Sequence, residues 1–152
     1  MIDPAVIGRC FGPYRVRVER AQISAFAAAL GEMNPIYHDL AAARAAGYPD
    51  LPAPPTLGTC YGLWANPPLL AELALLGAPL PRLLHGEQRY SYHAPIYAGD
   101  TLTASPAILG LERKQGRSGS FELLTLETQW HHQHGALALV DRLVVVVRNS
   151  VQ

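Results

Sequence analysis

Apolar and polar positions change their period partway along the chain. Up to about residue 77 the apolar side chains recur at helical spacing between breakers; beyond Leu84 they alternate or run in β-branched stretches. That order predicts helices packed on an antiparallel sheet, an α+β fold. A short strand comes first, because residues 14–18 (Tyr-Arg-Val-Arg-Val) alternate with period two. Ile23, Phe26, Ala27 and Leu30 then fall at i, i+3, i+4 and i+7, which buries one face of a helix, and Gly31 sits where a left-handed C-terminal cap belongs. A second, short helix runs over residues 40–46 between Asp39 as N-cap and Gly47 as terminator. After Pro54-Pro55, Thr56 is placed to cap a third helix through Leu57, Cys60, Tyr61 and Trp64. That helix is apolar almost all round, as a buried central helix should be. Asn66-Pro67-Pro68 ends it, and a further turn or two over residues 69–76 stops at Gly77.

In the second half, residues 88–92 read as a strand that ends before Pro95, and Ala98-Gly99-Asp100 turns into a strand over residues 101–111. Pro106 lies inside that strand, so the strand should bend, bulge or lie at an edge there. Gly116-Arg117-Ser118-Gly119 turns into residues 121–130. After Gln133-His134-Gly135, the Val- and Leu-rich run 137–147 reads as a strand covered on both faces.

At 152 residues the chain is one domain, 1–152, and 49% hydrophobic against 16% charged residues supports a real core. Twelve Lys and Arg balance twelve Asp and Glu, which leaves no electrostatic footprint for nucleic acid or an anionic membrane. Prolines at 52, 54, 55, 67 and 68 interrupt the longest uncharged stretch, residues 51–71, so it is not a membrane span. Cys10 and Cys60 have no metal-type spacing, and free thiols in a reducing cytoplasm are expected. His131, His132 and His134 would need a further ligand such as His93 or Glu122 to hold zinc, and nothing in the spacing selects one. The expectation there is a polar hairpin end and no metal. Residues 116–120 lack the lysine and spacing of a phosphate loop and read as a turn.

Three stretches carry a resemblance: Gly31-Glu32-Met33-Asn34-Pro35-Ile36-Tyr37-His38-Asp39; Ala45-Ala46-Gly47-Tyr48 leading to Ala53-Pro54-Pro55-Thr56; and His85-Gly86-Glu87-Gln88-Arg89 with Ala94-Pro95-Ile96-Tyr97-Ala98-Gly99-Asp100. In that order and spacing the chain resembles the MaoC-like hydratase and dehydratase family, in its N-terminal, fatty-acid-synthase-like branch. The resemblance implies a hot-dog fold, an antiparallel sheet wrapped around a long central helix. It also implies an (R)-3-hydroxyacyl to 2-enoyl interconversion on thioesters of coenzyme A or acyl carrier protein, without a cofactor. Such chemistry needs an acid/base pair at the reacting carbons and hydrogen-bond donors on the thioester oxygen, where negative charge develops.

This chain departs from the family pattern twice. The active loop of the family carries an Asp and, past an Asn-Pro, a His. Here Glu32 takes the Asp place, Asn34 and Pro35 match, and Tyr37 stands at the His place with His38 one residue later. A phenol with a reference pKa of about 10 is a poor base near neutrality. Before the central helix the family has Ala-His-Gly, whose Gly offers an N–H to the thioester oxygen; this chain has Ala53-Pro54-Pro55, and proline has no N–H. The expectation is therefore the acyl-binding, catalytically degenerate half of a hydratase or dehydratase. It would have Glu32, Tyr37 and His38 at the dyad positions and Asn34, Pro55, Thr56, Tyr61 and Trp64 along the substrate path. The alternatives are a self-sufficient hydratase using Glu32 with His38 or Tyr37, a hot-dog thioesterase, and an acyl-binding module without chemistry. The resemblance further implies a homodimer, or a heterodimer with a catalytic MaoC-like subunit. Arg82, His85 and Arg89 are candidates to meet a carrier's phosphates.

Overall fold

The computed structural model describes residues 1–65, 69–117 and 119–148. The helix stop expected at Asn66-Pro67-Pro68 and Ser118 of the expected turn lie outside the described residues. Six strands form one antiparallel sheet: β1 (Tyr14–Arg17), β2 (Leu83–Tyr92), β3 (Thr101–Ala104), β4 (Ala107–Gly116), β5 (Gly119–His132) and β6 (Leu137–Arg148). The order is β1-β3-β5-β6-β2, with β4 also paired to β5. The helices are α1 (Arg20–Ala29), α2 (Leu40–Ala45), α3 (Gly58–Trp64) and α4 (Leu69–Leu75).

The helix boundaries follow local chemistry. Glu19 N–H donates to the Gln22 side chain at 2.9 Å ahead of α1, and Asp39 accepts from Ala42 N at 2.7 Å to cap α2 as expected. Thr56 does not cap α3. Leu57 occupies the N-cap position with helical dihedrals and no side-chain cap bond, because the prolines turn the chain into the helix one residue later. Nor is α3 buried all round: Gly58 and Tyr61 are buried, while Leu63 is exposed on the opposite side.

The strand expected over residues 101–111 breaks at Ser105-Pro106 into β3 and β4. Both halves pair with β5, Leu102 opposite His132 and Ala107 opposite Glu127. Proline cannot donate to a ladder; its carbonyl instead accepts from Phe11 N at 2.9 Å. On β5 the even-numbered residues Leu124, Leu126, Thr128, Trp130 and His132 face inward and are buried, and β6 opposes them with Val145, Leu143, Asp141 and Leu139. Among the described residues β6 is covered on this inner face only. Val140, Val144 and Val146 on the outer face are half-buried and Arg142 is exposed, so coverage of both faces is not realised within one chain. The reason is that α3 and α4 lie against one side of the sheet, where Tyr61 packs edge-on to Trp130 with ring centroids 5.4 Å apart.

Two carboxyl groups are buried on the inner face. Glu122, fully buried, accepts from Ile2 N at 3.0 Å and pairs with Arg113 Nε at 3.2 Å, while Arg113 also donates to Ile2 O at 3.1 Å. This clamp ties the N-terminus to β4 and β5. Asp141, 8% exposed, accepts from Gln88 Nε2 at 2.8 and 3.0 Å. Loss of hydration pushes its carboxyl up from 3.8 to about 6, with the Gln88 hydrogen bond opposing that rise.

Each carboxyl makes a measurable prediction. Arg113→Leu should strand the Glu122 carboxylate and cost about 3 kcal/mol, at the low end for a buried pair because the guanidinium is half exposed. The Arg113→Leu/Glu122→Leu double variant should recover most of that loss in urea unfolding. For Asp141, the native state holds the proton more tightly than the unfolded chain does. Its contribution to stability is therefore full below about pH 4 and is lost as pH rises through about 6, on the order of 1–3 kcal/mol. Asp50 and Glu127, held low by hydrogen bonds from Arg20 and Arg142, act in the opposite sense. The difference between wild-type and Asp141→Asn unfolding free energies across pH 4–7 should isolate the Asp141 term as a downward slope.

Candidate functional site

The loop after α1 starts from a fixed helix end. Gly31 takes a φ of +73°, a region open to glycine, and Glu32 N donates to Ala27 O at 2.9 Å, so the loop leaves the helix in one direction. Glu32 Oε1 accepts from Asn34 N at 2.8 Å. Asn34 Oδ1 accepts from Ile36 N at 3.2 Å and caps a single 3-10 turn, Pro35–Tyr37. Ser24 Oγ on α1 holds the Tyr37 carbonyl at 2.8 Å. The result turns the Tyr37 ring inward and leaves His38 outside, its Nε2 hydrogen-bonded to Glu32 O at 2.8 Å.

The second half of the site is the turn into α3. Ala53 N bonds Ile96 O, Leu57 N bonds Pro54 O, and Tyr92 Oη donates to Pro55 O at 2.7 Å. An open depression of about 310 Å³ lies between the two loops, lined by Leu30, Gly31, Glu32 and Tyr37 on one side and Pro54, Pro55 and Thr56 on the other. Burial raises the Tyr37 phenol above its ordinary pKa, and the Glu32 carboxylate adds to that rise. The phenol stays protonated near neutrality and can donate a hydrogen bond but not take a proton.

The structure thus brings Glu32, Tyr37, Pro55 and Thr56 to one depression. It leaves His38 and Asn34 out of it, since both are committed to the loop's own backbone. Tyr61 is fully buried against Trp130, and the half-buried Trp64 ring sits 6.0 Å from Tyr61. Of α3, it is Gly58, Thr59, Gly62 and Leu63 that line a separate chamber of about 240 Å³ beneath α3 and α4. Its walls are leucines of α4, β2, β5 and β6, interrupted by Gln88, Thr128 and Asp141. Sequence reasoning passed over Asp141; the available signal was a lone carboxylate inside the apolar run 137–147.

The remaining candidates are spent elsewhere. Arg82 Nε donates to Arg148 O at 2.6 Å and Nη1 to Gly77 O at 3.2 Å. Arg89 pairs with Glu87, and His85 bonds Gln88. His132 and His134 stack with centroids 5.3 Å apart, His132 Nδ1 lies 3.6 Å from Asp100 Oδ2, and His131 bonds its own strand at Gln129 O. No group of three metal-binding side chains occurs among the described residues, and none of the described helices is long and apolar enough to cross a membrane.

Comparison with known proteins fits this architecture. A UPF0336 protein of Streptomyces coelicolor is 33% identical over 135 residues, covering 88% of this chain and 87% of the relative. The C-terminally truncated HadBC (3R-hydroxyacyl-ACP dehydratase) complex from Mycobacterium tuberculosis shares the fold. Its TM-score is 0.78 at 22% identity, over 93% of this chain and 96% of that one. The (R)-hydratase from A. caviae involved in PHA biosynthesis superposes with a TM-score of 0.63 at 27% identity, over 93% and 96% of the two chains. The family described as FAS1-like, dehydratase domain region, matches residues 5–140. With that match and the shared hot-dog fold, the chain belongs to the FAS1-like branch of the MaoC-like hydratases and dehydratases.

Proposed function

We propose that this protein is the acyl-binding, catalytically degenerate half of an acyl-thioester hydratase or dehydratase, paired with a subunit that supplies the acid/base residues. The observation that carries this reading is the depression itself. At the turn where a thioester oxygen needs a main-chain donor stands Pro55, and the inward ring of the facing loop is a protonated phenol, Tyr37, while the His38 imidazole is tied outside. Losing one oxyanion donor costs about 3–4 kcal/mol in transition-state stabilisation, and a missing base adds about a hundredfold or more. The two losses compound, since they affect different parts of the same step.

Two features support a partner. Among the described residues β2 pairs only with β6, so one edge of the sheet is open, and Leu63, Leu80 and Leu84 are exposed around the neighbouring chamber mouth. The HadBC structure, one chain of which shares this fold, is of a complex. The substrate of this reading is an acyl chain on coenzyme A or acyl carrier protein, with the thioester at the partner's loop and the chain running into the chamber of this subunit.

The purified chain alone should not hydrate crotonyl-CoA, and hydration should appear on co-expression with a family member that retains the Asp and His; robust turnover by the lone chain overturns the reading. Within that complex, Glu32→Ala and Pro55→Gly should each change kcat by less than about twofold, because the chemistry occurs in the partner's loop. A self-sufficient enzyme would instead lose turnover on Glu32→Ala.

A further inference from the structure

The inner face of the sheet carries a polar row where an apolar one would pack more cheaply. Thr128 on β5, Asp141 on β6 and Tyr90 on β2 are register partners, side by side across three strands. The Tyr90 hydroxyl meets the Thr59 hydroxyl on α3, so the row reaches from sheet to helix. Gln88 joins it through a bulge. The register shifts between His85 and Glu87, which lets His85 and Gln88, three residues apart, face the same side and bond at 2.7 Å. Gly86 makes the bulge possible, since a Cβ there would lie 2.9 Å from Val144 O. A hydrogen-bonded relay thus runs from exposed His85 through Gln88 to buried Asp141.

Asp141 is incompletely served by this relay. A carboxylate offers about four acceptor positions, and among the described residues its oxygens accept from Gln88 Nε2 alone. Asp141, Thr128 and Gln88 all line the chamber, whose remaining walls include Leu69, Leu73, Leu126, Leu143 and Val145. Neighbouring rows on the same strands carry Leu126 opposite Leu143 and Trp130 opposite Leu139, so the polar row is a local exception in an apolar floor. A plain hydrocarbon lying over this row would leave the Asp141 oxygens with no donor beyond Gln88 and seal them from water, which works against the contact's gain.

We propose that the chamber selects an acyl chain bearing a hydroxyl group along its length, beyond the reacting carbons, and that Asp141 with Thr128 and Gln88 recognises that hydroxyl. This rests on the acyl-thioester reading above and narrows its substrate class. A hydroxyl suits the site because it donates to an ionised carboxylate and accepts from a protonated one, whereas an ammonium suits only the ionised form. Asp141, raised toward neutrality by burial, is populated in both forms.

The test uses the full chain and isothermal titration with decanoyl-CoA, with the isomers of hydroxydecanoyl-CoA hydroxylated beyond C4, and with a terminally aminated analogue. At least one hydroxy isomer should bind tenfold or more tightly than decanoyl-CoA. Asp141→Leu should erase or reverse that preference, and Asp141→Asn, which keeps shape and hydrogen bonding, should retain part of it. Leu126→Trp, which fills the chamber, should weaken all the ligands together. Equal binding of plain and hydroxylated chains, an unchanged preference in Asp141→Leu, or tighter binding of the amine would overturn hydroxyl selection while leaving the acyl chamber standing. Failure of every thioester to bind would overturn both readings.

Discussion

The edge-on contact of Tyr61 with Trp130 sets where everything else can lie. By seating α3 on the inner face of β5, it brings the prolines before the helix to the loop after α1 and leaves Gly58, Thr59, Gly62 and Leu63 as the roof of a chamber. Burial of two large aromatic rings is worth several kcal/mol, enough to dictate the position of a seven-residue helix that could not stand alone. The depression and the chamber are therefore two consequences of one packing decision, at successive points along the same helix.

Within that frame the depression between the two loops is shaped by main-chain bonds more than by the side chains it presents. The loop geometry depends on backbone groups: the Gly31 turn, the Asn34 cap and the Ser24 bond to the Tyr37 carbonyl. The atoms it presents are a phenol and a carbonyl without a neighbouring amide hydrogen. On the reading proposed above, such a site guides an acyl chain past it without reacting with it.

The chamber holds to a different compromise. Its leucines stabilise the fold by burial, but Asp141 works against that, and most strongly once ionised. The clamp at Glu122 shows the usual solution for an inner-face carboxylate here, a guanidinium and a main-chain amide. Among the described residues Asp141 has only the Gln88 amide as donor, and it lines the cavity. That contrast between two carboxylates on adjacent strands separates a group that secures the fold from one that faces the cavity.

Much of this was legible along the chain. The order of helices then strands, the caps at Asp39 and Gly47, and the disturbance at Pro106 follow from periodicity and local dihedral preference. That Tyr37 carries no imidazole and Pro55 no N–H are properties of single residues that no folding changes. The placement of His38, the shortness and one-sided burial of α3, and the union of His85, Gln88 and Asp141 came only with the tertiary structure. A ring direction depends on which backbone oxygen is in reach. Gln88 and Asp141 lie 53 residues apart and meet through a strand register and a bulge, and such pairings arise from the packing of the whole sheet, which no local pattern in either strand records.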